Sequence, residues 1–141
     1  MVDVSGKSVT TRVAIATVRF VSRPDVIARI MAGDLPKGEA LATARVAGIL
    51  AAKRTSDLIP LCHPLPISHV TIDFKAENES INISTLVKTT SQTGVEMEAL
   101  TAASVAALTI YDMVKAVDRA ATITDLRVDT KTGGTNDWQR A

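Results

Sequence analysis

The residues able to do chemistry in this chain are few, and each stands in a distinctive local context. His63 is flanked by Cys62 and Pro64. A following proline restricts the backbone before it, so the imidazole can be aimed without a flexible loop, at a reacting group or at a backbone carbonyl that merely satisfies it. Zinc is a poor reading of this segment. Cys62 is the single cysteine and His69 the one other histidine, and neither has the paired spacing of a tetrahedral site. Asp112 and Lys115 lie three residues apart, with Tyr111 four before the lysine, so on a helix they project together. A lysine beside a carboxylate can donate a charged hydrogen bond to phosphate, or exchange protons with a substrate if burial lowers its pKa. The same spacing also describes a solvated ion pair of about 0.3–0.5 kcal/mol.

Further candidates sit in loops and helix starts. Lys37 lies in Pro36-Lys37-Gly38 and Lys131 precedes Thr132-Gly133-Gly134. Glycine lets amides converge on an anion and lysine adds charge, although neither segment is a Walker loop. Arg45 and Lys53-Arg54 could reach phosphate or simply cover surface. Glu96 fits a capping box with Thr93, which leaves Glu98 free to bond an amino or guanidine-like edge of a ligand. A serine triad from Ser68 or Ser104 with His63 and Asp112 is conceivable, but no Gly-x-Ser-x-Gly elbow presents the serine. Phosphate-substrate chemistry therefore ranks above hydrolase chemistry, and a binding or assembly protein without turnover is a third reading.

The elements that must position these groups follow from pattern. Residues 9–21 alternate as a strand. Ser22-Arg23-Pro24-Asp25 reads as a helix start with serine as the cap, and the helix ends near Gly33. Residues 39–54 form a second helix with a stripe of Ala40, Ala44, Ala47 and Ala51. Three prolines make 58–66 a fixed, extended loop. Residues 70–75 and 81–87 alternate as a hairpin. A long helix from Thr93-Gly94-Val95-Glu96 to about Ala120 presents an apolar stripe of Met97, Leu100, Ser104, Leu108, Tyr111 and Val114, and a last strand covers 122–130 ahead of a polar tail. The order predicts an α+β fold: a ferredoxin-like antiparallel sheet with helices on one face, plus one additional helix.

Composition sets the outer limits. At 141 residues, one domain is expected. A net charge of +1, with no Lys/Arg run, gives no field for nucleic acid or an anionic membrane. The single cysteine excludes an intrachain disulfide, no signal peptide or membrane span is read, and a cytoplasmic protein is expected. Only four residues are aromatic, Phe20, Phe74, Tyr111 and Trp138, and much of the apolar content is alanine. So thin a core favours an oligomer.

Several longer stretches carry a resemblance. Ala42-Thr43-Ala44-Arg45-Val46-Ala47-Gly48-Ile49, Leu58-Ile59-Pro60-Leu61-Cys62-His63-Pro64-Leu65, Thr93-Gly94-Val95-Glu96-Met97-Glu98 and Leu108-Thr109-Ile110-Tyr111-Asp112-Met113 with Lys115-Ala116 resemble the molybdenum cofactor biosynthesis protein C family, the cyclic pyranopterin monophosphate synthases. The likeness runs from Met1 to Gly134. It implies conversion of a cyclised dihydro-GTP to cyclic pyranopterin monophosphate with release of diphosphate. It further implies a ferredoxin-like fold and a hexamer of three dimers with the site at a dimer interface. Carried over by position, the catalytic residues are Lys37, Lys115, Asp112 and His63, and substrate contacts are Leu61, Cys62, His63, Met97, Glu98 and Lys131. No cofactor or catalytic metal is implied, and magnesium only as a companion of the triphosphate. The tail departs from the family, since a second basic residue often follows the paired glycines where this chain has Thr135-Asn136.

Overall fold

The computed structural model describes residues 1–141. Strand β1 (Thr10–Val21) is followed by α1 (Pro24–Ala32), α2 (Ala40–Lys53) and the single-turn α3 (Thr55–Leu58). The hairpin β2 (Ile67–Ala76) and β3 (Ser80–Ser91) leads to α4 (Glu96–Val114), then β4 (Thr122–Thr132) and β5 (Trp138–Gln139). All pairings are antiparallel and the sheet order is β2-β3-β1-β4-β5. The four main strands thus have the ferredoxin-like arrangement, with the helices packed on the sheet. Both α3 and β5 are additions to the predicted order. The extra turn falls where Thr55 bonds back to Ala51 and Ala52, and β5 forms where the expected polar tail returns to pair with Thr130 and Lys131.

Alternation along β1 sends Ala14, Ala16, Val18 and Phe20 into the core, and Ile81, Ile83, Thr85 and Val87 of β3 join them. Thr85 is accommodated because its hydroxyl donates to the carbonyls of Ala16 and Ala99, the latter at 2.8 Å, tying the sheet to α4. The opposite edge residues of β1, such as Val13, Ile15 and Thr17, are only half-buried, so one sheet face is incompletely covered within a single chain.

Helix α4 differs from its predicted form in three ways. It stops at Val114 because residues 115–118 turn back, with the Val117 and Asp118 amides both bonding the Val114 carbonyl. Thr93 does not cap it; Val95 occupies that place without a side-chain bond, and the Glu96 carboxylate lies against Gly94 instead. Its buried face is Ala99, Ala102, Ala103, Ala106, Ala107, Ile110 and Met113, whereas Met97 and Leu108 of the expected stripe are exposed. Small residues win the buried side because they allow neighbouring backbones to approach. Helix α2 meets this face through Ala44, Gly48, Ala51 and Ala52, and Ala47 of the predicted stripe is only half-buried. By length and composition α4 could cross a membrane, but it is the core helix of this fold, packed on β1, β3 and β4.

Capping elsewhere also departs from expectation. Ser22 does not cap α1; Arg23 stands at that position with no side-chain bond, while the buried Ser22 hydroxyl goes to Asp118. The Glu39 carboxylate caps α2 by accepting from the amides of Leu41 and Ala42.

At Gly48 a side chain would run into the Ile72 side chain and stand 3.0 Å from the Ala102 carbonyl. Gly48→Val is therefore expected to destabilise the protein by about 3 kcal/mol, the upper end of ordinary overpacking costs, as read from the urea unfolding midpoint.

Candidate active site

Two groups of chemically able residues stand at opposite ends of α4. The first is built on Asp112, in the helix's last turn. Its Oδ2 accepts from Lys37 Nζ at 2.7 Å and its Oδ1 from Lys115 Nζ at 2.9 Å. Lys37 reaches it from the loop that follows α1, and Lys115 stands at the helix C-terminus, so one carboxylate clasps two amines. All three side chains are about half-exposed and line an open cleft of about 380 Å³ with Tyr111, Ala116 and Arg119.

The two amines hold the Asp112 carboxyl down to about 2. In return, the hydrogen bond to Asp112 raises the Lys115 ammonium above its ordinary value. That direction is opposite to the burial-lowered lysine the sequence left open. At rest Lys115 is therefore a charged donor rather than a free base.

The second group gathers at the start of α4. Leu61, Cys62, His63, Met97 and Glu98 line a cleft of about 300 Å³ together with Val2, Val4, Lys7, Leu65, Thr93, Gly94 and Glu96. The His63 Nε2 lies 2.8 Å from the Val2 carbonyl, so that nitrogen carries the proton and donates it. Burial pushes up the Cys62 thiol, and the nearby Glu98 charge adds to the effect, which suits a protonated contact residue rather than a thiolate nucleophile. Glu98 is itself 4% exposed and its carboxyl is raised, first by burial and then by the Glu96 charge. No cation pairs with it, so it is suited to accept hydrogen bonds from a ligand's N–H groups.

Lys131 belongs to an adjoining, wholly polar cleft of about 590 Å³ that shares Lys7, Thr93, Gly94 and Glu96 with the previous one. Arg12 also lines it. Its guanidinium, largely buried, donates to the carbonyls of Ser91 and Ser8. Gly133 and Gly134 both have left-handed φ, and a side chain at Gly134 would strike the Arg12 guanidinium. The paired glycines thus let the chain cross directly over a cation, and the Lys131 amine bonds the Asn136 carbonyl across the same turn. Lys7, Arg12 and Lys131 bring three cationic side chains to this cleft beside Glu96, while the Gly133 and Gly134 amides are taken by the Asp137 carboxylate and the Thr10 hydroxyl.

Sequence reasoning missed Arg12, Lys7 and Arg119. For Arg12 a signal existed: it occupies the inward register of β1 with Ala14, Ala16 and Val18, where a charge needs a reason. Lys7 and Arg119 lie in no motif. Arg45 is otherwise engaged, bonding the Ile72 carbonyl with its guanidinium 5.2 Å above the Phe74 ring. The serine triad is not assembled, since the hydroxyls of Ser68 and Ser104 bond the Lys88 and Leu100 carbonyls and Asp112 is taken by lysines.

An α+β ferredoxin-like scaffold with a carboxylate between two amines, a buried acid and a basic cleft belongs to the class of small domains equipped to bind an anion and exchange protons with it. The chain belongs to the MoaC family, whose pattern it matches over residues 1–134. It is 59% identical to a cyclic pyranopterin monophosphate synthase of Streptomyces avermitilis, over all of this chain and 84% of that protein. It is 54% identical to the protein of the same name from Corynebacterium glutamicum, over 98% of this chain and 89% of that one.

Two outcomes follow from the electrostatics. A carboxyl-resolved NMR titration should place Asp112 at about 2, and Lys37→Ala or Lys115→Ala should each raise it. Because that carboxyl is depressed on folding, the clasp's contribution is complete above the unfolded value of about 3.9 and fades as pH falls through the folded one. A wild-type midpoint near the ordinary value would mean that the clasp does not persist in solution. Glu98 has the reverse sign: its raised carboxyl favours folding below the unfolded value of about 4.3, an advantage lost as pH rises through the folded one. Glu98→Gln should therefore raise the Tm at neutral pH, by about 4 °C for each kcal/mol gained, and the gain should vanish near pH 4.

Proposed function

We propose that the chain is a cyclic pyranopterin monophosphate synthase. It converts (8S)-3',8-cyclo-7,8-dihydroguanosine 5'-triphosphate to cyclic pyranopterin monophosphate and diphosphate in molybdenum cofactor biosynthesis. The observation that carries this reading is the Lys37–Asp112–Lys115 clasp, in a chain 59% identical to a relative of that name. The reaction opens and re-forms a purine-derived ring while a cyclic phosphate closes and diphosphate leaves. It needs mobile protons at the heterocycle and cations at the polyphosphate.

The residues divide these tasks. Lys115 begins as an ammonium, so its first act is to donate a proton or a charged hydrogen bond; once it has given up the proton, Asp112 favours its return. Lys37 shares the same carboxylate and neutralises charge that develops on the leaving diphosphate. Glu98 accepts from the guanine-like edge, and Leu61, Cys62 and Met97 pack around the ring. His63 donates from Nε2 to a phosphate oxygen once that oxygen replaces the Val2 carbonyl, and Lys131 holds the polyanion. No resident cofactor takes part in this scheme, and magnesium enters only as a companion of the triphosphate.

Within one chain the two groups stand well apart. Glu98 and Asp112 are fourteen residues apart on a single helix, about 21 Å. The reading therefore includes a shared site, with the clasp of one protomer facing the basic cleft of another across a dimer interface, three such dimers forming a hexamer in the cytoplasm. The half-covered sheet face and the exposed Val46, Leu50, Leu61 and Leu108 support association.

Purified protein given the cyclised GTP should release diphosphate; return of unchanged ligand would favour a binding protein. Lys115→Arg keeps the charge but removes the titratable amine, so its turnover should fall by about 10²-fold or more. Both lysines serve the same carboxylate of one chain, so a Lys37→Ala protein mixed with a Lys115→Ala protein should stay inactive. Mixing His63→Ala with Lys115→Ala should restore part of the activity. Silence in that second mixture would count against a shared site.

A further inference from the structure

The turn after α4, which carries Lys115 and Arg119, is fastened by a buried network that no catalytic assignment covers. Asp118 is 6% exposed and Ser22, at the end of β1, is 7% exposed. The Ser22 hydroxyl donates to Asp118 Oδ2 at 2.6 Å. The other oxygen, Oδ1, accepts from the Ala120 amide at 3.0 Å and lies 3.6 Å from the Arg23 guanidinium. Arg23 also donates to the Val117 carbonyl at 3.2 Å, and the Tyr111 hydroxyl donates to the Arg119 carbonyl at 3.1 Å. The turn is thus held to the β1–α1 junction by its side chain and its backbone, and to α4 by Tyr111.

That junction has a second dependant. Arg23 immediately precedes α1, and the loop following α1 delivers Lys37. Both amine-bearing segments therefore hang from one point, while the carboxylate they share stands on α4. The two lysines are themselves half-exposed and flexible, and nothing but Asp112 bonds them. Their meeting depends on where their backbones are placed.

We infer that Asp118, with Ser22 as its partner, is a positioning residue for the amine pair: it sets the Lys115 turn against the root of α1 so that Lys115 and Lys37 converge on Asp112. Asp118 lines none of the clefts described above, so its effect passes through Lys115. The Ser22 hydroxyl above all, with the Ala120 amide and Arg23, holds the Asp118 carboxyl below its ordinary value, so the network also stabilises the fold, although an apolar contact could do that much. The network's bonds are directional, and direction is what placing an amine requires.

The test is made on the full-length protein with Ser22→Ala, Ser22→Thr and Asp118→Asn. Ser22→Ala removes one hydroxyl and leaves Asp118 with Arg23 and the Ala120 amide. Asp118→Asn keeps the shape but offers one acceptor in place of two. The first readout, the carboxyl-resolved titration of Asp112, needs no substrate and stands independently of the proposed reaction. Its midpoint should rise above about 2 in Ser22→Ala and Asp118→Asn, and return towards it in Ser22→Thr. The second readout, which does rest on that reaction, is turnover per folded molecule. Diphosphate release should fall roughly tenfold to a hundredfold in kcat, with KM within about twofold, as a displaced catalytic group predicts. A merely structural role would lower the Tm and leave the Asp112 midpoint and the kcat of folded protein unchanged, and that result overturns the inference. Should Asp118→Asn not fold, Ser22→Ala decides alone. A shifted midpoint with no turnover even in the wild-type protein would uphold the positioning role and defeat the proposed reaction.

Discussion

The contact of α4 with α2 and the sheet is close because the facing side chains are small. The two helices pack through buried small residues, Gly48 of α2 lying against Ala102 and Ala106 of α4, and Thr85 bonds the Ala99 carbonyl from beneath. Alanine contributes little area per residue, so the stability of this layer rests on dense packing over a long contact. Close approach of this kind resists sliding or rolling of α4, as the lack of room for a side chain at Gly48 shows. A helix held so firmly along its middle makes its two ends dependable, and the functional groups are placed at those ends.

At the C-terminal end, the electrostatics favour a fully charged cluster at rest. One carboxylate shared by two ammonium groups leaves a net positive charge, which an incoming phosphate can claim by replacing Asp112 as the acceptor for one amine. Loss of that amine weakens the hold on the Asp112 carboxyl, and the amine left behind gains a larger share of it. A phosphate bound there would therefore change the acidity of Asp112 and of the remaining lysine. At the other end the burial logic is reversed. Glu98 sits without a paired cation in a cleft that adjoins the one lined by Lys7, Arg12 and Lys131, so an unpaired acceptor and cationic donors lie side by side.

Much of this was legible in the sequence. The element order, the proline-fixed loop before β2 and the hairpin follow from alternation and turn chemistry, and the match to four main strands follows from that order. Asp112 and Lys115 could be paired from their spacing. Lys37 could not, because it comes from 75 residues away and only the tertiary fold brings it to the carboxylate. The buried face of α4 was misread for a physical reason. Hydrophobic patterning gives weight to large side chains, so Met97 and Leu108 drew the stripe, whereas close helix packing selects small ones. Local capping signals at Ser22 and Thr93 failed similarly. A hydroxyl that can cap a helix can also serve a distant carboxylate, and burial of Asp118 made the distant bond at Ser22 the stronger demand.

The separation of the two functional groups constrains how such a protein can evolve and assemble. With Glu98 and Asp112 about 21 Å apart along one helix, bending would bring their ends together only through a kink that breaks the alanine contact. On the proposed shared site, a second copy whose α4 begins where the first one ends would bring them together. An isologous pair would do this twice, because a two-fold axis that sets one clasp beside the partner's cleft also sets the reverse. Association would then complete two sites at once and cover the half-bare sheet or the exposed leucines in the same step. A core poor in aromatic residues and two groups of polar side chains at opposite ends both follow from building the domain around one alanine-rich helix.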